Sequence, residues 1–447
     1  MDVVGDIAAH ELKKDVVAIR SPEDADSARD AVKRLLRRTL TADAAVQIAL
    51  LNNRGLQAAY NELALAEVQM VEGSLPPNPR ISFSRIAGSA EIEIERRIVA
   101  DILALVTLPV RSEIALVRFR QAQLRAALET LRVAAETRRA YYRAVASREV
   151  IGFLAQAQTA AETATELATR LGETGAMNKL DQAREQVFYA DLTAQLATIR
   201  QRASSEREAL SRSMGLWGGD LDFKFPNALP PLPRRVQTLA GIEVEAVRRR
   251  VDLQISRMEL DALAKSYGLT QATRFINILE AGYFDKFIKD KETGQSIRDR
   301  GFEIELQIPI FDFGEVRVRQ AEATYMQAVN RLLELAVNVR SQARDAYRVY
   351  RSAYDIAGHY NREVLPLRKI ISDETLLRYN AMQIDVFSLL AEARQRIVAT
   401  TAAIEAKRDF WLATAELKAA VAGGGMFGSR NEGTRPMAES SGETGRH

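Results

Sequence analysis

Cysteine is absent from the 447 residues, which excludes disulfide scaffolds, iron–sulfur clusters, cysteine-rich zinc sites and thiol nucleophiles. Only 3 histidines are present, so no histidine-rich metal centre is expected. Aromatic residues make up 6%, too few for a surface that stacks on bases or sugars. Basic and acidic residues number 62 and 59; a net charge of +3 spread this evenly leaves no basic stripe and no nucleic-acid partner. No apolar run approaches the roughly 20 residues of a membrane-spanning helix, and the most apolar, Ile102 to Val110, is interrupted by Pro109. The N-terminus, MDVVGDIAAHELKKD, lacks the basic, apolar, small-residue order of a signal peptide. These absences alone read as a soluble, cytosolic chain. No GxxxxGK[ST], HExxH or GxSxG is present, and no GxGxxG stands between a strand and a helix, so no enzyme and no cofactor are expected. What remains is a chain 47% hydrophobic and 27% charged, with ample material for a core.

That material is periodic. Residues 1–40 read as a short helix or two with an extended lead-in. A helix is predicted from Thr41 or Asp43 to about Gly73, with Val46, Leu50, Leu56, Leu63 and Val68 on one face. Leu75-Pro76-Pro77-Asn78-Pro79 then forbids helix. Ile81 to Arg85 and Glu91 to Glu95 alternate apolar and polar residues, the mark of strands wet on one face, and the second is predicted to run on toward Pro109. A rod from about Glu113 to Arg170 carries Leu124, Leu128, Leu131 and Ala135 at four-three-four spacing; at ~1.5 Å per residue it would be on the order of 85 Å long. Gly172 and Gly175 mark a turn, and a second rod runs from Asn178 to Met214.

The order then repeats. After a Pro-rich connector (220–235) a helix is predicted from Val236 to Ala264. Strands follow at Phe275 to Phe284 and Phe302 to Ile310, around a charged turn from Lys289 to Arg300. A rod from Glu315 to Arg378 carries Ala321, Tyr325, Ala328, Leu332, Leu335 and Val339, and a last helix runs to Val421. Asn53-Arg54-Gly55-Leu56-Gln57 parallels Val251-Asp252-Leu253-Gln254, and Leu108-Pro109-Val110 parallels Ile308-Pro309-Ile310, roughly 200 residues apart. The chain is therefore an α+β tandem duplication: lead-in 1–40, first repeat 41–219, connector 220–235, second repeat 236–423, and a Gly/Ser-rich tail 424–447 expected to be disordered. In Phe302, Ile304, Leu306, Ile308 and Ile310 one strand face is wholly apolar. Either a soluble sheet packed on helices or a closed membrane barrel produces this alternation.

Asn53-Arg54-Gly55-Leu56, Leu75-Pro76-Pro77-Asn78-Pro79, Ile308-Pro309-Ile310-Phe311-Asp312-Phe313-Gly314, and Gly175 followed by Leu180-Asp181 together resemble the TolC family of outer-membrane efflux proteins, over about residues 41 to 423. The resemblance implies a homotrimer. Each chain would supply four strands to a 12-stranded barrel in outer-membrane lipid and helical hairpins to a periplasmic α-barrel. It also implies a passive duct for small molecules or ions, docked to a periplasmic adaptor protein and an inner-membrane pump. Such a location would require a signal peptide encoded upstream. By the same resemblance Gly175 and Met382 occupy the periplasmic tip turns, and Asp181, Asp385, Arg378 and Tyr379 are gate candidates. Met382 stands where the family has glycine, and Ser388 where it has aspartate. Glu91, Glu93, Glu95, Glu303 and Glu305 are read as lumen-facing strand acids, and Pro109 and Pro309 as strand-to-helix transitions. The alternative is a soluble coiled-coil scaffold.

Overall fold

The computed structural model describes residues 1–423 and Gly425, apart from Ala176, Gln237, Leu239 and Ala240, and leaves out the side chains of Val386 and Phe387. The tail expected to be disordered lies, Gly425 apart, outside the described residues. The first repeat comprises α3 (Ala42–Asn52), α4 (Arg54–Ser74), β1 (Arg80–Ala87), β2 (Glu91–Asp101), α5 (Ile102–Glu173) and α6 (Lys179–Met214), preceded by α1 (Asp2–Leu12) and α2 (Pro22–Leu36). The second comprises α7 (Ile242–Arg249), α8 (Val251–Ala272), β3 (Ile278–Asp290), β4 (Ser296–Gln307), α9 (Glu315–His359), α10 (Leu365–Asn380) and α11 (Val386–Ala422).

Several boundaries correct the sequence reading. The helix expected unbroken to Gly73 breaks at Asn53, and the one expected from Val236 breaks at Arg250; aligned on Leu56 and Leu253, these are the same position in the two repeats. Each break is made by a side chain recruited elsewhere. Asn53 accepts from the Leu56 amide (3.1 Å), capping α4, and donates to the Ser213 carbonyl (2.9 Å). Arg250, 3% exposed, donates to Gln342 (2.6 Å). The second strand does not reach Pro109: Asp101 accepts from the Ala104 amide (2.8 Å) and starts α5 at once, so Pro109 lies inside that helix rather than at the handover. Pro309 does lie between β4 and α9, in a turn where Phe313 donates to its carbonyl (2.8 Å). The charged turn expected over Lys289–Arg300 narrows to residues 291–295, because β3 and β4 extend through the charges. The rod from Glu315 to Arg378 is interrupted by a π-helical turn, Tyr360–Val364, just before Pro366, whose missing N–H and ring disturb the preceding turn.

The chain divides into two compact units, and each sequence repeat contributes to both. The first holds Met1–Ala58, Ala127–Arg250 and the chain from Asn338. Its core includes an aromatic cluster: Phe410, 1% exposed, stacks with Tyr350 (5.5 Å) and meets Trp411 edge-on (5.2 Å), while Trp411 stacks with Tyr142 (5.4 Å). This cluster pins the Pro-rich connector, since Trp411 donates to the Pro230 carbonyl (3.1 Å) and Tyr354 to the Pro233 carbonyl (3.0 Å). Two glutamines strap down the extended lead-in: Gln47 pairs with both backbone groups of Asp15, and Gln57 bridges Val17 and Ile19. A second apolar cluster joins α5, α6 and α11 through Leu154, Phe188, Leu192, Leu196 and Ile404.

The other unit, Ala59–Ala126 and Val251–Val337, holds the sheet. Its strands run antiparallel in the order β1-β2-β3-β4, so the hairpin of the first repeat pairs with the hairpin of the second. No residue of the four strands is buried. Among the described residues no helix is long and apolar enough to cross a membrane.

Candidate functional site

Strand register decides which side chains share a face, because alternate residues point to opposite sides. Ile98 stands opposite Ile81 and Tyr283, and Tyr283 opposite Phe302; Ala281 stands opposite Ile304 and Leu279 opposite Leu306. These residues form one apolar face. Ile81, Phe302 and Ile304 are 75%, 87% and 75% exposed, so none of the described residues covers it. Exposed Ile308, Ile310, Phe311 and Phe313 prolong the apolar surface beyond the end of β4.

The opposite face carries Glu91, Glu93, Glu95, Glu303 and Glu305 together, through the pairing of Gly282 with both Val99 and Glu303. Sequence reasoning missed the cations between them. Lys286 pairs with Glu93 (2.6 Å), and Arg97 bridges Glu95 (3.0 Å) and Glu303 (3.4 Å); Arg80 pairs with Glu280, another acid of this face. The face is a partly neutralised acidic lattice, interrupted by Phe284 and by the row of Ile86, Ile288 and Ile297. Only the sheet as assembled could reveal these pairs, because Arg97 and Glu303 are distant in sequence and joined through β3.

The two interhelical turns of the first unit hold the gate candidates. Between α5 and α6, Gly175 adopts φ +77, and Met177 donates back to the Leu171 carbonyl (3.1 Å). Asn178 caps α6 by accepting from the Asp181 amide (2.9 Å) and donates to the Asp181 carboxylate (2.7 Å), with Arg184 at 3.8 Å. Between α10 and α11, Met382 takes the matching left-handed conformation, φ +57, and its side chain is 94% exposed. Asp385 caps α11, accepting from the Ser388 amide (2.9 Å) and hydroxyl (2.6 Å), and these hydrogen bonds hold its carboxyl below the usual range. Asp385 thus occupies the helix-start position, with Ser388 its partner. Arg378 is exposed and Tyr379 half-buried; among the described residues neither is hydrogen-bonded or ion-paired through its side chain to Asp181 or Asp385. The single chain therefore does not assemble the four gate candidates.

One acid near the first turn was not legible. Glu185, one helical turn beyond Asp181, is 2% exposed, and neither carboxylate oxygen has a hydrogen-bond partner. Burial pushes its carboxyl up, opposed by the positive charge of Arg394, which lies over the Phe188 ring at 4.8 Å. Among the described residues no group of three or more His, Asp or Glu is placed to hold a metal ion.

No protein-family model matches the chain, and no curated protein matches it in sequence. Solved structures do match. CusC, whose structures describe transmembrane channel formation, aligns at TM-score 0.71 and 16% identity over 89% of this chain and 92% of its own. A membrane protein from Pseudomonas aeruginosa aligns at 0.72 and 17%, over 88% of this chain and 93% of its own. The CmeC outer-membrane channel of Campylobacter jejuni aligns at 0.69 and 15%, over 94% and 92%. The chain shares the fold of these membrane proteins.

Proposed function

We propose that the chain is a TolC-family outer-membrane efflux protein, a passive duct without catalytic chemistry. Three copies would each contribute the four-stranded sheet to a closed 12-stranded barrel. The observation that carries this is the sheet itself: both faces are open, and β1 and β4 each have an unpaired edge. Unpaired edges of 8 and 12 residues are assembly surfaces, and closure between copies removes them. The apolar face would then meet lipid and the acidic face would line water, the alternation a membrane barrel requires.

In this reading the helical hairpins form a periplasmic conduit that meets an adaptor and an inner-membrane pump, and the cargo is set by the pump. The acids Glu93, Glu95, Glu303 and Glu305 keep the lumen wet and mildly cation-attracting, tempered by Arg80, Arg97 and Lys286. Asp181, Asp385, Arg378 and Tyr379 form a gate only between neighbouring subunits, where the turns of three copies converge. The test is extraction of the full chain from bacterial envelopes. A duct fractionates with the outer membrane and runs as an SDS-resistant trimer until heated, whereas a chain recovered as a detergent-free monomer overturns the proposal.

A further inference from the structure

The apolar face of the sheet is not apolar along its whole length. The two hairpin turns, 88–90 and 291–295, lie at one end of the sheet, opposite the end where the strands join the unit's helices. Toward the hairpin end, Tyr283 and Phe302 meet at 5.5 Å, with Phe83 one row further on. Beyond these aromatics the same face turns cationic. Arg96 stands opposite Phe83 and Asp285, Asp285 opposite Arg300, and in the next row Arg85 and Arg298 flank Ile94 and Phe287. Lys289 follows in the row after that.

The charge is unbalanced. Asp285 is the single acid among these rows; it takes a two-pronged contact from Arg298 (2.8 and 2.6 Å) and a longer one from Arg300 (3.6 Å). Arg85, Arg96 and Lys289 are exposed and form no close ion pair among the described residues, although Arg96 stands opposite Asp285 and acts on it at longer range. Glu91, Glu93, Asp290 and Asp299 of the hairpin end lie on the other face, so near the hairpins this face carries an excess of cations. A merely soluble surface has no need of this gradient along one face, from rows without charge near the helices to rows in which arginines stand among Phe83, Ile94 and Phe287. A bilayer has the same order, from hydrocarbon through interface to phosphate.

We propose that Arg85, Arg96, Arg298 and Arg300 form a collar that docks the phosphate groups of anionic lipid in the outer leaflet. The guanidinium fork matches phosphate oxygens in two-pronged geometry, and Asp285 holds Arg298 and Arg300 in position without neutralising the collar. Closure of three copies makes the collar continuous around the barrel. The inference rests on the barrel reading, and the experiment separates the two.

Trimers of the full chain, wild type and R85Q/R96Q/R300Q, are purified in neutral detergent. They are incubated with diphosphoryl lipid A, monophosphoryl lipid A or phosphatidylcholine, and retained lipid is counted by native mass spectrometry. The wild type is expected to retain the diphosphoryl form most and phosphatidylcholine least. The triple variant is expected to lose at least tenfold in diphosphoryl lipid retention while remaining an SDS-resistant trimer. If it does not assemble, R85Q/R300Q, which leaves the Arg298–Asp285 pair intact, is measured and should lose part of the retention. Equal retention by variant and wild type, or no preference for phosphate in the wild type, overturns the collar. A wild-type chain that forms no trimer overturns the barrel instead. E91Q, on the opposite face, should change nothing, and a loss there would assign the effect to the hairpin turns.

Discussion

Placing arginine at Ile304 and Leu306 is the sharpest perturbation of the membrane reading. The two side chains are 75% and 48% exposed, two positions apart on β4, and they lie between the exposed aromatics Phe302 and Phe311. If water covers them, arginine is tolerated to within about 0.5 kcal/mol, as at most surface positions. If lipid covers them, each arginine near the bilayer centre costs roughly 2–4 kcal/mol. Together that is on the order of 4–8 kcal/mol per subunit, reduced somewhat if the neighbouring charges share a water defect. Even the lower figure is close to a thousandfold in an assembly equilibrium. The assay refolds urea-unfolded chain into phospholipid vesicles, floats the vesicles, and reads the SDS-resistant, heat-modifiable fraction. I304R/L306R should lose nearly all of that band, while Q307R, on the acidic face, should keep it. A double variant that inserts as well as Q307R would mean that the apolar face meets protein, and the barrel argument would fail.

Other expectations follow from the same geometry. E185Q should raise the melting temperature at neutral pH, because the wild-type carboxylate is buried without a hydrogen-bond partner; a lowered one would show that the attraction of Arg394 outweighs the burial cost. The Glu185 carboxyl is raised in the folded state, so the native chain binds its proton more tightly than the unfolded chain. Stability should fall as pH rises from about 4.5 through the raised native value, and E185Q should abolish that slope; a wild type that gains stability across the window would refute the assignment. M382G should raise the urea midpoint modestly, since a left-handed methionine costs ~1–2 kcal/mol against ~0.5–1 kcal/mol of added chain entropy for glycine; a lowered midpoint would show that the methionine side chain contributes packing in the trimer. G314A should cripple folding by roughly 3 kcal/mol or more, because φ is +71 and a Cβ would sit 2.1 Å from the Arg274 carbonyl oxygen; wild-type yield would mean that the turn relaxes. D181A should enlarge single-channel conductance, and unchanged conductance would remove Asp181 from the gate.

The strands were legible because nothing else in the chain alternates with period two for so long. Their parity put Glu93 with Glu95 and Glu303 with Glu305 on one face of each strand, and the register through Gly282 joins the two pairs. Their ends were not legible: Lys289 to Arg300 reads as a loop by composition, yet continues both strands. There the charges sit on a paired backbone, where Asp285 stands opposite Arg300 and Arg298 reaches it diagonally. The breaks at Asn53 and Arg250 were equally hidden. The apolar pattern runs across each, and the partners that stop the helix, Ser213 and Gln342, are remote in sequence. Pro109 misled for a related reason. Proline disfavours helix interiors, but the cap supplied by Asp101 starts α5 before Pro109 is reached, and the helix absorbs it. Glu185 left no trace at all, since a glutamate in a polar helix carries no sign of burial.

A soluble scaffold remains the natural competitor, and the structure argues against it through satisfaction rather than through resemblance. A scaffold of long helices needs no sheet, and one that has a sheet buries at least one of its faces. The helices bury part of their apolar surface, with Leu124, Leu131 and Ala135 each under 9% exposed and Val339 fully buried, while Val68, Leu333 and Leu377 stand open to solvent. The strands hold no fully buried residue, and Ile81, Phe83, Phe302 and Ile304 stand 75%, 65%, 87% and 75% exposed. Fusion of two hairpins from separate repeats into one sheet shows that pairing is strongly favoured, yet it stops at four strands with both edges open. In the proposed duct, lipid would cover the open apolar face of the sheet and sister strands would pair its two edges.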